Sequence, residues 1–162
     1  MSPRGHTLIE LLAVLCITAV LAGLATPSLR ALQAQTQLTT AVDHLQVALQ
    51  LARSTALMRA QAVVWCLADD QGACLPADVS RGQFYALRVG GADGELLRRE
   101  HLAPGLQLLA TRAQVTYYPL PRAGSTSTLT LCEVQSRAAS RQLIISQTGR
   151  VRASPLTARG CA

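Results

Sequence analysis

The chain has 162 residues and a formal net charge of +6, is 49% hydrophobic and only 3% aromatic, and takes all 15 of its basic residues as Arg. That length leaves room for one modest domain beside any membrane segment and for no second one. The charge is unevenly placed: up to residue 100 eight Arg face eight acids, whereas from residue 101 onward seven Arg face Glu133 alone. The last third therefore carries the whole net charge, and it points to a polyanion partner or to a solvated basic surface.

In chain order the first element is apolar. Residues 8–25 contain one charged group, Glu10, and otherwise read as a helix long enough, at about 1.5 Å per residue, to cross most of a bilayer core. A carboxylate inside such a helix costs roughly 2.5 to 3.5 kcal/mol, so Glu10 is expected to have a partner and a task. An ordinary secretory signal, with Arg4 as its positive end, and a plain membrane anchor are the simpler readings, and neither accounts for Glu10.

After Pro27 the sequence is free of Gly and Pro until beyond residue 61, and Leu38, Val42, Leu45, Leu49, Ala52 and Ala56 recur at steps of four and three. This spacing predicts an amphipathic helix that continues the first one and packs its stripe on a sheet. From Ala62 the period changes. VVWCL and QFYALRV read as strands flanking a polar loop at 69–82, and further strands are predicted at 95–101, 106–111, 114–118, 127–134 and 142–146. Gly- and Pro-bearing turns separate them at 90–94, 104–105 and 119–124. A long helix followed by short antiparallel strands predicts an α+β head.

Cys16 lies in the apolar segment, and Cys66, Cys74, Cys132 and Cys161 lie in the head. Four cysteines in an exported domain allow three pairings. We favour Cys66 with Cys74, closing a short polar loop, and Cys132 with Cys161, tying the tail to a strand. Zinc is disfavoured because no C-x-x-C or H-x-x-x-H pair occurs, and no metal or other cofactor is expected. Catalysis finds no support: His6, His44 and His101 are scattered along the sequence, and Asp69 and Asp70 read as turn residues. The chain is not expected to be an enzyme.

The N-terminal GHTLIEL, with Glu10 the fifth residue after Gly5, resembles the class III leader of type IV pilins and pseudopilins. The ARSTALMRAQAVVWC passage, the LTLC strand and the closing QLIISQTGRVR resemble the FimT/GspH branch of that group. The resemblance implies a pilin-like fold: a leader at 1–5, a transmembrane helix at 6–27 and a periplasmic head at 28–162 with a basic tail. It implies that a prepilin peptidase cuts between Gly5 and His6 and methylates the new N-terminus, although His6 stands where the family usually has Phe or Met. Glu10 would then pair with the N-terminal ammonium of a neighbouring subunit. The expected location is the bacterial inner membrane, in a single pass, with assembly into a pilus beside major and minor pilins.

Gly149-Arg150-Val151-Arg152 resembles the GRxR element implicated in DNA binding by FimT-type minor pilins of transformable bacteria. In an extended chain Arg150 and Arg152 project to one side about 6.5 to 7 Å apart, a spacing suited to neighbouring phosphates. Gly149 would let the chain turn and the nucleic acid approach closely. Arg137, Arg141 and Arg159 are helpers supported by local charge alone. The aromatic residues Trp65, Phe84, Tyr85, Tyr117 and Tyr118 all lie outside the basic tail, which favours double-stranded DNA over a base-stacked single strand. A GspH-like pseudopilin of type II secretion and a minor pilin that only primes pilus assembly are the rival expectations.

Overall fold

The structure is a computed structural model that describes residues 7–119, 124–135 and 138–155, with the backbone alone at 23–27 and 155. The first element is one helix, α1 (Leu8–Arg59). Thr7 caps it: the Glu10 N–H donates to Thr7 Oγ1 at 3.4 Å and to the Thr7 carbonyl at 3.1 Å. Glu10 thus stands in the third helical position of a T-x-x-E start, where the helix dipole favours a carboxylate. Among the described residues no helix is long and apolar enough to cross a membrane. The chain forms two compact units, 1–33 and 34–162.

Within the second unit, all six positions of the predicted stripe are buried, with Leu38, Leu45, Leu49, Ala52 and Ala56 fully so. The strands that follow are β1 (Val63–Ala68), β2 (Arg81–Gly82), β3 (Phe84–Val89), β4 (Glu95–His101), β5 (Leu106–Ala110), β6 (Gln114–Tyr117), β7 (Ser127–Glu133), β8 (Arg141–Ile145) and β9 (Val151–Pro155). These strands form two antiparallel sheets, ordered β4-β3-β1-β6 and β2-β5-β7-β8-β9. One core joins helix and sheets through Trp65, Leu87, Leu108, Leu131 and Leu143.

β1 is buried along its whole length. One face looks into that core. Val64, Cys66 and Ala68 face the other way and make a small cluster with Ala86, Cys74 and Phe84. A disulfide from Cys66 to Cys74 pins the loop after β1 over this cluster, as expected from the sequence. The same loop is fastened by Asp69, whose Oδ1 accepts the Gln71 and Ala73 N–H groups at 2.9 and 2.8 Å. Those bonds, the one from Ala73 foremost, hold the Asp69 carboxyl below its usual range, as befits a turn residue. Arg88 closes the loop from below, donating to the Gly72 and Gly94 carbonyls at 2.9 and 2.6 Å. Cys132 is also disulfide-bonded; Cys161, its expected partner, lies outside the described residues, and Cys16 is free.

Two features depart from expectation. β2 and β9 are strands the sequence pattern did not signal, because RG is too short to show a period and VRASP has a single β-branched residue and ends in Pro. The strands also divide between two sheets, a pairing choice that hydrophobic period does not specify.

Candidate nucleic-acid interface

β8 and β9 form a hairpin in which Ile145 pairs with Val151, Ile144 with Arg152 and Leu143 with Ala153. Five residues, Ser146 to Arg150, connect the strands, and the bond from the Ser146 N–H to the Arg150 carbonyl leaves Gln147, Thr148 and Gly149 as the turn itself. Gly149 has φ +74°, the left-handed residue that closes a three-residue hairpin loop. The turn is tied by Ser146. Its Oγ accepts the Arg150 N–H at 3.2 Å and lies 2.9 Å from Thr148 Oγ1, while the Ser146 N–H donates to the Arg150 carbonyl at 3.0 Å. The backbone of Arg150 is therefore fixed on both its polar groups.

Strand alternation then settles where the side chains point. Val151 packs against the core, and Arg150 and Arg152 are exposed on the other face of the hairpin. Among the described residues neither guanidinium has an ion pair or hydrogen bond. Four arginines of the charge-balanced part are engaged: Arg59 pairs with Glu95 at 3.3 Å, Arg98 with Glu100 at 2.6 Å, Arg99 donates to the Asp70 carbonyl, and Arg88 is tied as described.

Gly149 does turn the chain, and the direction a side chain would take from it is occupied by the protein itself. The residue is buried, and a Cβ there would meet Tyr117 Cε1 at 3.0 Å and Arg53 Cδ at 3.4 Å. The space is filled by the protein's own aromatic ring. Burial pushes the Tyr117 phenol up to about 12, against the opposing pull of the Arg53 charge. Arg141, expected as a helper, lies apart from Arg150 and Arg152. It pairs with Pro155 at the far end of the hairpin, about 13 Å from the turn, and has the parity of Leu143 and Ile145 rather than of Arg152. Arg137 and Arg159 lie outside the described residues, as do Gly5 and His6. Glu10 is exposed in the first turn of α1.

His44 and His101, distant in sequence, line one cleft of about 380 Å³ between α1 and the end of β4. His101 there stacks on Phe84 with ring centroids 4.4 Å apart. Among the described residues no group of three His, Cys, Asp or Glu is placed to hold a metal ion.

A helix laid on antiparallel sheets, with a cross-linked loop over one strand, is a pilin-like α+β fold. The model of the family described as type II transport protein GspH matches residues 41–149, and the chain belongs to that family. A crystal structure of the type IV minor pilin FimU from Pseudomonas aeruginosa is similar in fold, with TM-score 0.58 and 21% identity over 78% of this chain and 95% of that one. A second crystal form of FimU gives TM-score 0.54 at 21% identity over 77% and 98%. No curated protein matches in sequence.

Proposed function

We propose that the protein is a minor type IV pilin whose head binds double-stranded DNA without sequence preference through Arg150 and Arg152, in the service of DNA uptake in natural transformation. The observation that carries this reading is the pair of exposed, unengaged guanidiniums on one face of a hairpin whose turn is fastened by Ser146. Arginine forks at strand spacing suit phosphate oxygens, and the hairpin carries no aromatic side chain on which a base could stack. In the same proposal a prepilin peptidase cuts between Gly5 and His6, the first part of α1 anchors the protein in the inner membrane with the head in the periplasm, and Glu10 meets a neighbouring subunit's N-terminus during assembly.

The family match favours a second reading, a pseudopilin of type II secretion whose partners are other pseudopilins. Titrating a fluorescent duplex with the full chain in a nonionic detergent separates the two. Binding that falls with salt, and that loses about 1.8 units of log–log salt slope in the Arg150→Ala/Arg152→Ala variant, is expected for two phosphate contacts. A folded wild-type protein with no affinity at low salt refutes the DNA reading and leaves the pseudopilin.

A further inference from the structure

Beside the hairpin turn lies an open groove of about 670 Å³ at one end of the five-stranded sheet. One wall is the turn that joins β5 to β6, carrying Thr111 and Arg112. The floor is the start of β7 and the end of β8, with Thr128 and Ile144, and the other wall is Gln147 and Thr148, next to Arg150. Among the described residues the lining holds no carboxylate and no aromatic ring.

Its walls are built rather than incidental. Thr111 Oγ1 accepts the Thr128 N–H at 3.0 Å and lies 3.3 Å from Ser127 Oγ, which in turn donates to the Arg112 carbonyl at 3.4 Å. This fixes the backbone of the Arg112 turn against β7, as Ser146 fixes the opposite wall. Arg112 itself is exposed, and among the described residues its guanidinium has no ion pair. Thr128, Ile144 and Arg152 stand directly opposite one another across β7, β8 and β9, with Thr111 beside Thr128. Three strand spacings of about 4.8 Å therefore separate the Arg112 turn from Arg152, about 14 Å in all.

We propose that this groove seats the sugar–phosphate backbone of duplex DNA, held between Arg112 on one wall and Arg150 and Arg152 on the other; the proposal rests on the DNA reading above and adds a second contact point to it. At the spacing of about 6.5 to 7 Å that suits neighbouring phosphates, a backbone crossing the strands presents about three phosphates along this span. Guanidiniums hold its two ends. The threonine hydroxyls between them are donors to phosphate oxygens, and Ile144, 43% exposed, offers an apolar contact to deoxyribose. Without an aromatic platform the groove does not favour unstacked bases, which selects duplex over single strand.

The test compares the full chain with Arg112→Ala, Arg150→Ala/Arg152→Ala and the triple variant in salt titrations of duplex binding, with circular dichroism as the check on folding. Arg59→Ala is the control, since it removes the same charge far from the groove. Salt slopes lower by about 0.9, 1.8 and 2.7 units respectively, with Arg59→Ala unchanged and Arg112→Lys restoring most of the slope, support the groove. If Arg112→Ala behaves like Arg59→Ala while the double variant loses its slope, the groove is refuted and the Arg150–Arg152 reading stands. If the wild type does not bind, both fall. Stronger binding of single-stranded than of duplex DNA overturns the groove as drawn.

Discussion

Gly149→Ala is expected to destabilise the head by about 2 kcal/mol and to weaken DNA binding only to the extent that the turn moves. Two costs combine. At φ +74° an alanine pays about 1 to 2 kcal/mol for the left-handed region. Its Cβ also falls 3.0 and 3.2 Å from Tyr117 Cε1 and Cδ1, so a ring within the core must give by a few tenths of an ångström, at a further cost of about 0.5 to 1 kcal/mol. The head has a convenient reporter, because the single tryptophan, Trp65, is wholly buried and stacked on Tyr85 at 5.9 Å. Urea unfolding followed by its fluorescence, with a slope of about 2 kcal/mol per molar, should show the midpoint about 1 M lower. Gly149→Asn should lose less, since Asn tolerates this region better while bringing the same Cβ. An unchanged midpoint in Gly149→Ala refutes the account of the turn. Lost DNA affinity at unchanged stability would restore the idea that the glycine itself lies against the ligand.

Two other outcomes follow from the fold. Cys66→Ala/Cys74→Ala opens a loop of sequence separation 8 and should lower stability by about 2.5 kcal/mol, with faster tryptic cleavage after Arg81 as the loop leaves the outer face of β1; equal cleavage rates in both proteins would count against a fastening role. Tyr85 and Tyr117 both have phenols raised to about 12, chiefly by burial, with Glu100 adding to the rise at Tyr85. Since a free tyrosine titrates near 10, the unfolded chain gives up these protons first. Stability should therefore be intact below about pH 10 and fall between about pH 10 and 12, by about 2 to 3 kcal/mol per tyrosine. Tyr117→Phe should remove its share, and a spectrophotometric titration with both phenols near 10 would disprove the burial.

Much of the fold was legible because helical period is a strong local signal. Every residue of the stripe from Leu38 to Ala56 is buried, and the Gly–Pro turns separate strands where the pattern placed them. The disulfide between Cys66 and Cys74 followed from the shortness of the loop it closes. What was not legible depends on register. Whether Arg141 shares a face with Arg152 is decided by how β8 and β9 pair, and the three-residue turn that sets this pairing shows in sequence only as an unremarkable QTG. Gly149 looked like room for a ligand because sequence cannot show that Tyr117, 32 positions earlier, fills the space. Arg112 was missed for a related reason: an arginine between two predicted strands is ordinary until the fold sets that turn beside another one. Its one available signal was its place in the turn between 106–111 and 114–118.

The attachment of β9 also determines how the head answers force. Among the described residues β9 has one paired neighbour, and its hydrogen bonds to β8 run across the strands at five paired positions. A load applied at the arginines and directed along β9 strains those bonds together, in shear, with Val151 resisting withdrawal from the core. The same load directed away from the sheet strains them one after another, starting at the turn. A tether pulled by its ligand would thus be strong in one direction and weak in the other, and the hairpin turn would be the first part to yield.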